Sequence, residues 1–318
     1  MLCVLGPGAL GGLLAALLAE GGADVALLVP TAERAAALRE GLRLSGPGAR
    51  PERVVRVAAL GPDDAPARPV EAALLCVKAR DTAPAVARAA ALPGGPTLVV
   101  LQNGLGRAEE VARLLGDADR VVSAVTSQGA TLEQDGRLRH AGRGPTRLGA
   151  LTPGGRARAE AAARALAAAG LEAEVVDDPA RLVWEKLQVN AAINALTGLL
   201  GCANGRLLEA PSARSLAGEA AAEVGAVARS LGVTGDWSAA AARDRWEAVA
   251  RATADNASST LQDLRRGRPT EVNAINGAVA AAAREAGVAA PINELLARLV
   301  AAAEELTAQG RGQGRARE

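Results

Sequence analysis

Two lysines, Lys78 and Lys186, stand among 36 basic residues, and all the others are arginine. Asparagine is also scarce, yet Asn190, Asn194 and Asn204 follow the second lysine closely. They belong to the run Trp184-Glu185-Lys186-Leu187-Gln188-Val189-Asn190-Ala191-Ala192-Ile193-Asn194 and its continuation. Steps of four residues advance a helix by roughly 40° beyond a full turn, so Lys186, Asn190 and Asn194 share one face. An ammonium and two carboxamides then line a single wall. A solvated polar face is the simpler account of one Lys-x-x-x-Asn, but composition argues against it here. The chain has no Phe or Tyr and takes arginine wherever exposed charge is wanted, a bias expected of a GC-rich coding sequence. A lysine kept against that bias serves for what arginine cannot do, which is to give up a proton when burial lowers its pKa. Lys186 is thus a candidate proton donor.

The elements that must carry these residues fall into two patterns. Short apolar runs at 2–5, 24–29, 72–77, 97–101 and 120–125 alternate with Ala-rich helical stretches, the rhythm of a parallel sheet covered by helices. Shorter strands are expected at 138–141, 146–148 and 172–176. Beyond Asp177-Asp178-Pro179 only helical periodicity remains, over 182–200, 213–231, 246–264, 270–285 and 292–306. Pro179 suits a first helical turn with Asp178 as its cap. The expected fold is α/β, with a Rossmann-type dinucleotide-binding domain over 1–178, an all-α domain over 179–308 and a flexible tail over 309–318.

At the first strand-to-helix junction, Gly6-Pro7-Gly8-Ala9-Leu10-Gly11 matches G-x-G-x-x-G. The glycines permit a tight turn and let backbone N–H groups approach a pyrophosphate, which the following helix N-terminus favours electrostatically. NAD enzymes commonly close the second strand with an acid for the ribose hydroxyls. Here Pro30 takes that place, Glu33 stands beyond it, and Thr31 and Arg34 are suited to a phosphate, so NADP (NADPH) is the expected cofactor. Lys78, after the strand ending Leu75-Cys76-Val77, emerges at the carboxyl edge of the sheet, where cofactors lie.

Composition excludes several classes. At 318 residues, 49% apolar and a formal charge of +1, the chain has the signature of a soluble globular protein and not of a nucleic-acid binder. Cys3, Cys76, Cys202 and the single His140 have no metal-site spacing, and apolar cysteine contexts suggest reduced thiols in the cytoplasm. The apolar start is interrupted by Gly6, Gly8, Gly11 and Gly12 and lacks a basic leader, so neither a signal peptide nor a membrane span is expected. His140 and the tryptophans Trp184, Trp237 and Trp246 are expected to be structural.

The ordered set of motifs resembles the ketopantoate reductase (2-dehydropantoate 2-reductase) family. It comprises the glycine turn, Val77-Lys78, Gln102-Asn103-Gly104, Trp184-Glu185-Lys186-Leu187 with Asn190 and Asn194, Asn256-Ala257-Ser258-Ser259-Thr260-Leu261-Gln262-Asp263, Pro269-Thr270-Glu271-Val272-Asn273-Ala274-Ile275-Asn276-Gly277, and Gly287-Val288-Ala289-Ala290-Pro291. The resemblance covers nearly the whole chain. It implies a Rossmann domain joined to a 6-phosphogluconate-dehydrogenase-C-terminal-like helical domain, with NADPH and ketopantoate in the cleft between them, and reduction of the ketone to pantoate in pantothenate and coenzyme A biosynthesis. It also implies roles. Gly6 to Gly11 would hold the pyrophosphate, Lys78 the adenosine end, and Asn103 and Ala130 the nicotinamide side. Lys186 would be the catalytic proton donor. Asn103, Lys186, Asn190, Asn194, Asn204, Asn256, Ser258 and Ser259 would contact substrate, and Glu271 would stand beside the nicotinamide ribose. Many members carry arginine where this chain has Pro30.

The residues also make chemical sense alone. Hydride reaching a keto carbon builds negative charge on oxygen, which an ammonium both stabilises and protonates. Carboxamides and hydroxyls such as Asn190, Asn194 and Ser259 orient a small polar acid without titrating. Glu271 either positions a substrate hydroxyl, tunes Lys186, or is a carboxylate at a helix start. Two alternatives remain: reduction of another small 2-keto acid on the same scaffold, and a non-catalytic NADPH-binding sensor. A sensor would need the glycine turn but not the proton donor. The Ala-rich helical domain is also compatible with a homodimer.

Overall fold

A computed structural model of the chain describes residues 1–46, 52–133 and 135–315. They group into two units, Met1–Gln102 with Gly106–Pro179, and Asn103–Leu105 with Ala180–Glu318. In the first unit the apolar runs become fully buried strands, β1 (Leu2–Leu5), β2 (Val25–Leu28), β6 (Ala72–Leu75) and β7 (Thr97–Val100). Side chains alternate across each strand. Leu2, Val4, Leu74 and Val99 join the core on one face, while Cys3, Leu5, Leu75 and Val100 join the core on the other. A strand buried on both faces reads as a continuous apolar run, as these do. The helices that cover them are α1 (Ala9–Glu20) and α5 (Arg156–Ala168) on the first face, and α3 (Thr82–Ala90) and α4 (Arg107–Leu115) on the second.

The eight-stranded sheet has the order β12-β11-β8-β7-β6-β1-β2-β5, completed by β5 (Ala58–Leu60), β8 (Val121–Thr126), β11 (Thr146–Ala150) and β12 (Ala173–Val175). All neighbours are parallel except β8 and β11. From β1 the chain goes first to β2 on one side and later to β6 on the other, so the switch point lies at β1. A second sheet of four strands, β4-β3-β10-β9, consists of β4 (Arg53–Val55), β3 (Leu42–Ser45), β10 (Leu138–Gly142) and β9 (Gly129–Leu132). Leu42, Leu44, Val55 and Leu138 of this sheet share a core with α1, which is therefore enclosed between two sheets. That is why α1 is apolar all round, the property that makes it look membrane-like in sequence. A Cβ on Gly12 would come within 2.9 Å of Leu138. Among the described residues no helix is long and apolar enough to cross a membrane. β3, β4, β5 and β9 are additions to the expected strands. They are only three or four residues long, too short for a buried–exposed alternation such as Leu42-Arg43-Leu44 to stand out. The brief α2 (Ala32–Ala37) follows β2, capped by Thr31.

The second unit is helical. α6 (Pro179–Leu200) begins at the proline and runs through the middle of the unit. Trp184, Leu187 and Ala191 pack into one apolar cluster, and Ala192, Ile193, Ala195 and Leu196 into another. Around it lie α7 (Arg206–Glu209), α8 (Pro211–Ser230), α9 (Ala239–Ala252), α10 (Ser259–Arg265), α11 (Asn276–Glu285) and α12 (Pro291–Arg315). The single helix expected over 246–264 is two, α9 and α10, because Ser238 and Ser258 each accept a backbone N–H at a helix start, and Thr253 to Ala257 intervene as a loop. Likewise the stretch 270–285 begins as a short 3-10 turn, Val272–Ala274, before α11. The tail expected over 309–318 is helical as far as Arg315, and 316–318 lie outside the described residues.

α8 and α9 are joined by a buried carboxylate. Glu247, 4% exposed, accepts Arg214 Nε at 2.6 Å and Nη2 at 2.8 Å, and Arg251 Nη2 as well. The Arg214 bond, aided by Arg251, holds the Glu247 carboxyl below its ordinary range although burial opposes this. A folded-state pKa below the unfolded value gives stability that is present above the unfolded carboxylate range and lost as pH falls through the folded value. Glu247→Gln is expected to lower the unfolding free energy by about 1–3 kcal/mol at neutral pH. The gap from wild type should shrink as the pH falls below about 4. Denaturant titrations at both pH values check it, and a gap of equal size at each would rule out the carboxylate as its source.

Candidate active site

The glycine turn lies at the carboxyl end of the switch strand β1. Gly6 has φ +109°, and a Cβ there would stand 3.0 Å from the backbone of Cys76 and Val77, just beyond β6. A Cβ on Gly11 would be 2.0 Å from the carbonyl oxygen of Gly6. These two glycines therefore let β1, α1 and the end of β6 meet at backbone contact. Gly8 differs, since among the described residues nothing lies within 4 Å of the position its Cβ would take. It occupies the N-cap of α1 without a side-chain cap, and no acid stands in the first helical turn. Open space above an uncapped, partially positive helix end fits a pyrophosphate. Pro7, Ala9 and Leu10 complete the turn and are half-buried.

Lys78, half-buried, follows β6 and opens the short turn Ala79–Asp81. Gln102, after β7, donates from Nε2 to Val77 O at 3.1 Å and to Thr82 Oγ1 at 2.9 Å. At the end of β2, Pro30 is exposed, Thr31 Oγ1 accepts the N–H of Arg34 at 3.2 Å, and Glu33 is an exposed acid of the same helix start. A backbone N–H and then the Thr31 hydroxyl hold the Glu33 carboxyl below its ordinary range. The ends of β2 and β5 are clamped by Arg88 of α3, whose guanidinium donates to Val29 O at 2.6 Å, to Leu60 O at 3.0 Å and to Gly61 O. No sequence signal separates Arg88 from the other arginines. Ala130 lies on β9, opposite His140 in the antiparallel pair, and packs against the α1 core. His140 is buried, its Nε2 2.8 Å from Gln128 Oε1, and burial followed by the charge of Arg143 pushes its imidazole pKa down.

In the helical unit, Lys186, Asn190 and Asn194 project at successive four-residue steps of α6, the first two half-buried and the third buried. Asn190 makes no side-chain hydrogen bond among the described residues. Asn194 Nδ2 donates to Ser259 Oγ at 3.5 Å. One turn further, the buried Thr197 joins its Oγ1 to Ser258 Oγ at 2.7 Å, and Ser258 Oγ accepts the N–H of Leu261 at the start of α10. The adjacent serines thus differ. Ser258 is a buried cap whose hydroxyl is committed to the fold, whereas Ser259 is exposed. Asn204 Nδ2 donates to Thr253 Oγ1 at 2.9 Å, its backbone N–H donates to Asn256 O at 3.0 Å, and its Oδ1 is buried with no hydrogen-bond partner among the described residues. Asn194, Asn204, Asn256, Ser258 and Ser259 are therefore brought together by hydrogen bonds and adjacency in the chain. Thr197 is the member that sequence reasoning missed, although it stands one helical turn from Asn194.

A third group lies in the same unit. Asn103 Nδ2 donates to Glu271 Oε2 at 3.1 Å. The contact depends on Gly104, at φ +100°, where a Cβ would come within 2.3 Å of Ala274 O. Glu271 occupies the N-cap position of the turn Val272–Ala274 without a side-chain cap bond, so it stands at a helix start and accepts from Asn103 as well. Asn276, buried behind it, donates from Nδ2 to Ala191 O of α6 at 3.1 Å and to Asn293 Oδ1 at 3.0 Å.

A doubly wound sheet with a glycine turn at its switch point, joined in one chain to a helical unit with a lysine and amide wall, is the architecture of the two-domain Rossmann-type oxidoreductases. The family model described as Ketopantoate reductase PanE/ApbA matches residues 2–153, and that described as Ketopantoate reductase PanE/ApbA C terminal matches 179–304. The chain belongs to the ketopantoate reductase family. It is 37% identical over 302 residues to a 2-dehydropantoate 2-reductase of Halobacterium salinarum, covering 95% of this chain and 98% of that one. Its identity to the enzyme of the same name from Archaeoglobus fulgidus is 35%, over 95% and 97% of the two chains. Among solved structures, a 2-dehydropantoate 2-reductase from Geobacter metallireducens superposes with TM-score 0.84 at 28% identity, over 95% of this chain and all of that one. A D-mandelate dehydrogenase with NADH and anilino(oxo)acetate reaches TM-score 0.88 at 24% identity, over 96% and 99% of the two chains, a likeness of fold alone.

The contrast between the two serines is testable by stability. Ser258→Ala is expected to lower the unfolding free energy by about 1–2 kcal/mol, the scale of a lost helix cap. Ser259→Ala should stay within about 0.5 kcal/mol of wild type, as an exposed substitution does. Thermal and denaturant melts of both variants check this, and equal losses would show that the two hydroxyls share one structural role.

Proposed function

We propose that this chain reduces 2-dehydropantoate (ketopantoate) to pantoate with NADPH, in the supply of pantothenate and coenzyme A. The observation that carries the reading is the α6 wall of Lys186, Asn190 and Asn194 tied to Ser259, in a chain whose relatives bear the name of that reaction. When bound, the reduced nicotinamide supplies a hydride to the ketone carbon. Lys186 Nζ gives its proton to the ketone oxygen, and its charge stabilises the negative charge that gathers there. Asn190 and Asn194 hold the small acid through carboxamides that do not titrate, with Ser259 adding a hydroxyl. Asn204 Oδ1 offers a buried acceptor suited to the substrate hydroxyl. Gly6 to Gly11 hold the pyrophosphate, Lys78 the adenosine end, Asn103 and Ala130 the nicotinamide side, and Glu271, oriented by Asn103, the nicotinamide ribose. Cytoplasmic residence fits three cysteines that form no disulfide.

Purified protein is expected to oxidise NADPH when ketopantoate is added, read as loss of the reduced-nicotinamide absorbance. Turnover confined to a different 2-keto acid would reassign the substrate. Lys186→Ala should lower kcat on the order of 10²-fold or more, the scale of losing a positioned acid, with NADPH affinity little changed. Lys186→Arg should rescue poorly, because it retains charge but not a readily donated proton. Near-normal kcat in Lys186→Ala would remove the lysine from the chemistry.

Cofactor preference follows from the absence of an acid directly after Val29 and from Lys78. NADPH is expected to exceed NADH in kcat/KM, and Lys78→Ala to weaken NADPH much more than NADH. Equal losses with both cofactors would give Lys78 a structural role only, and a preference for NADH would mean that Glu33 and Pro30 prevail at the end of β2.

A further inference from the structure

Gln102 stands in the Gln-Asn-Gly motif after β7, and the function proposed above gives it no part. Its carboxamide is only half engaged. Nε2 donates to Val77 O at 3.1 Å and to Thr82 Oγ1 at 2.9 Å, while Thr82 Oγ1 donates its own proton to Ala79 O at 2.6 Å. Val77 O can only accept, so the nitrogen of the amide must face it, and the alternative flipped orientation is excluded. Thr82 requires the same orientation because its proton is already engaged. Oε1 is consequently the remaining acceptor, and it is buried with no hydrogen-bond partner among the described residues. Buried amide oxygens are nearly always paired, since an unsatisfied one bears its full desolvation cost.

Placement indicates what donor would reach it. Both bonds of Nε2 brace the stretch from Val77 to Thr82 that presents Lys78. The ends of β1, β6 and β7 carry the glycine turn, Lys78 and Gln102 respectively, and these three strands are consecutive in the sheet. With strands about 4.8 Å apart, Gln102 lies two strands from the glycine turn, on the side away from β2. In a doubly wound sheet the adenosine ribose is held at the end of the second strand and the pyrophosphate at the glycine turn, so the nicotinamide half extends to the opposite side.

Resting on the dinucleotide reading above, the geometry points to Gln102 as a cofactor-binding and positioning residue. Its Nε2 fixes the turn that presents Lys78, and its Oε1 accepts a hydrogen bond from a ribose hydroxyl or carboxamide N–H on the nicotinamide half. The two atoms of one amide thus serve the two ends of the same ligand.

The test compares Gln102→Met with wild type for three ligands, by fluorescence or calorimetric titration. These are NADPH, 2′-phospho-ADP-ribose, which keeps the second ribose but not the nicotinamide, and 2′,5′-ADP, which lacks both. The variant is expected to lose about ten-fold more affinity for NADPH than for 2′,5′-ADP, the scale of one buried hydrogen bond. It should also lose some affinity for 2′,5′-ADP through the loosened Lys78 turn. An excess loss shared by 2′-phospho-ADP-ribose assigns the donor to the ribose, and an excess confined to NADPH assigns it to the carboxamide. Equal losses for all three ligands would overturn the acceptor role, and unchanged affinities would overturn the positioning role with it. Should the variant fold poorly, wild-type protein labelled with ¹³C at glutamine Cδ gives an independent reading. The Gln102 resonance is expected to move on adding NADP⁺ and to stay with 2′,5′-ADP, and movement with neither overturns the proposal. Failure of wild type to bind NADPH at all would overturn the proposed function itself, whereas normal binding with equal losses in Gln102→Met overturns this inference alone.

Discussion

The candidate catalytic helix is held in register by one buried carboxamide. Asn276 spends both amide protons inside the helical unit, one on Ala191 O in the middle of α6 and one on Asn293 Oδ1. Asn293 passes the pattern on, donating from Nδ2 to Ala220 O of α8 and to Glu223 Oε2. Glu223 in turn accepts the backbone N–H groups of Ile292 and Asn293, which begin α12 and have no intrahelical acceptor. Four helices are therefore joined by a polar chain in an apolar interior, where a misplaced partner leaves a donor or acceptor unsatisfied. Ala191 lies between Asn190 and Asn194, and Asn276 lies five residues after Glu271. The same chain that positions α6 thus anchors the turn carrying the carboxylate, so the wall and Glu271 are set by one framework.

The Rossmann-type unit is organised by the opposite kind of constraint, the exclusion of side chains. Gly6 and Gly11 lie where any Cβ would meet backbone, and a backbone cannot move aside as the end of a flexible side chain can. Gly8, two residues from the first, faces open space instead. Two glycines are thus required for contact within the fold and one for access from outside. In the helical unit Gly104 repeats the first use, permitting Asn103 to reach Glu271 by letting the chain lie against Ala274. Satisfied hydrogen bonds thus position the candidate residues of the helical unit, and missing side chains shape the candidate cofactor turn of the other.

What could be read from sequence follows from these two mechanisms. Continuous apolar runs disclosed β1, β2, β6 and β7 because both faces of those strands are buried, and the glycine turn disclosed the switch point because its spacing is dictated by contact. β3 and β4 were hidden because, at four and three residues, they are too short for their alternation to stand out. The break between α9 and α10 was hidden for another reason: apolar periodicity continues across it, and only the capping bond of Ser258 shows where the helix restarts. Lys186, Asn190 and Asn194 were legible as a face because helical geometry alone relates them. The pairing of Asn103 with Glu271 spans 168 residues and is a product of tertiary packing, which no local spacing encodes. Ser258 and Ser259 are chemically identical in sequence, and only burial separates a cap from an exposed hydroxyl.

The scarcity of lysine acquires a structural meaning once the arginines are in place. Arg88 gathers carbonyls of Val29, Leu60 and Gly61, and Arg214 grips both oxygens of Glu247. Arg245 lies 5.4 Å over the Trp237 ring while bonding Asp236 O and Gln188 Oε1. These are the uses a planar fork suits, because one head can satisfy several acceptors lying near one plane and can stack on an aromatic face. In this chain arginine wires the fold together. Proton transfer to a developing alkoxide asks for the reverse properties, a compact head that directs its charge at one atom and can part with a proton. A coding bias that converts surface lysines to arginine leaves such a position untouched, since a guanidinium there would keep its proton and present a wider plane. Composition marks Lys186 together with Lys78, by the bias both resist, and only the amides beside it on α6 make Lys186 the candidate for such a proton transfer.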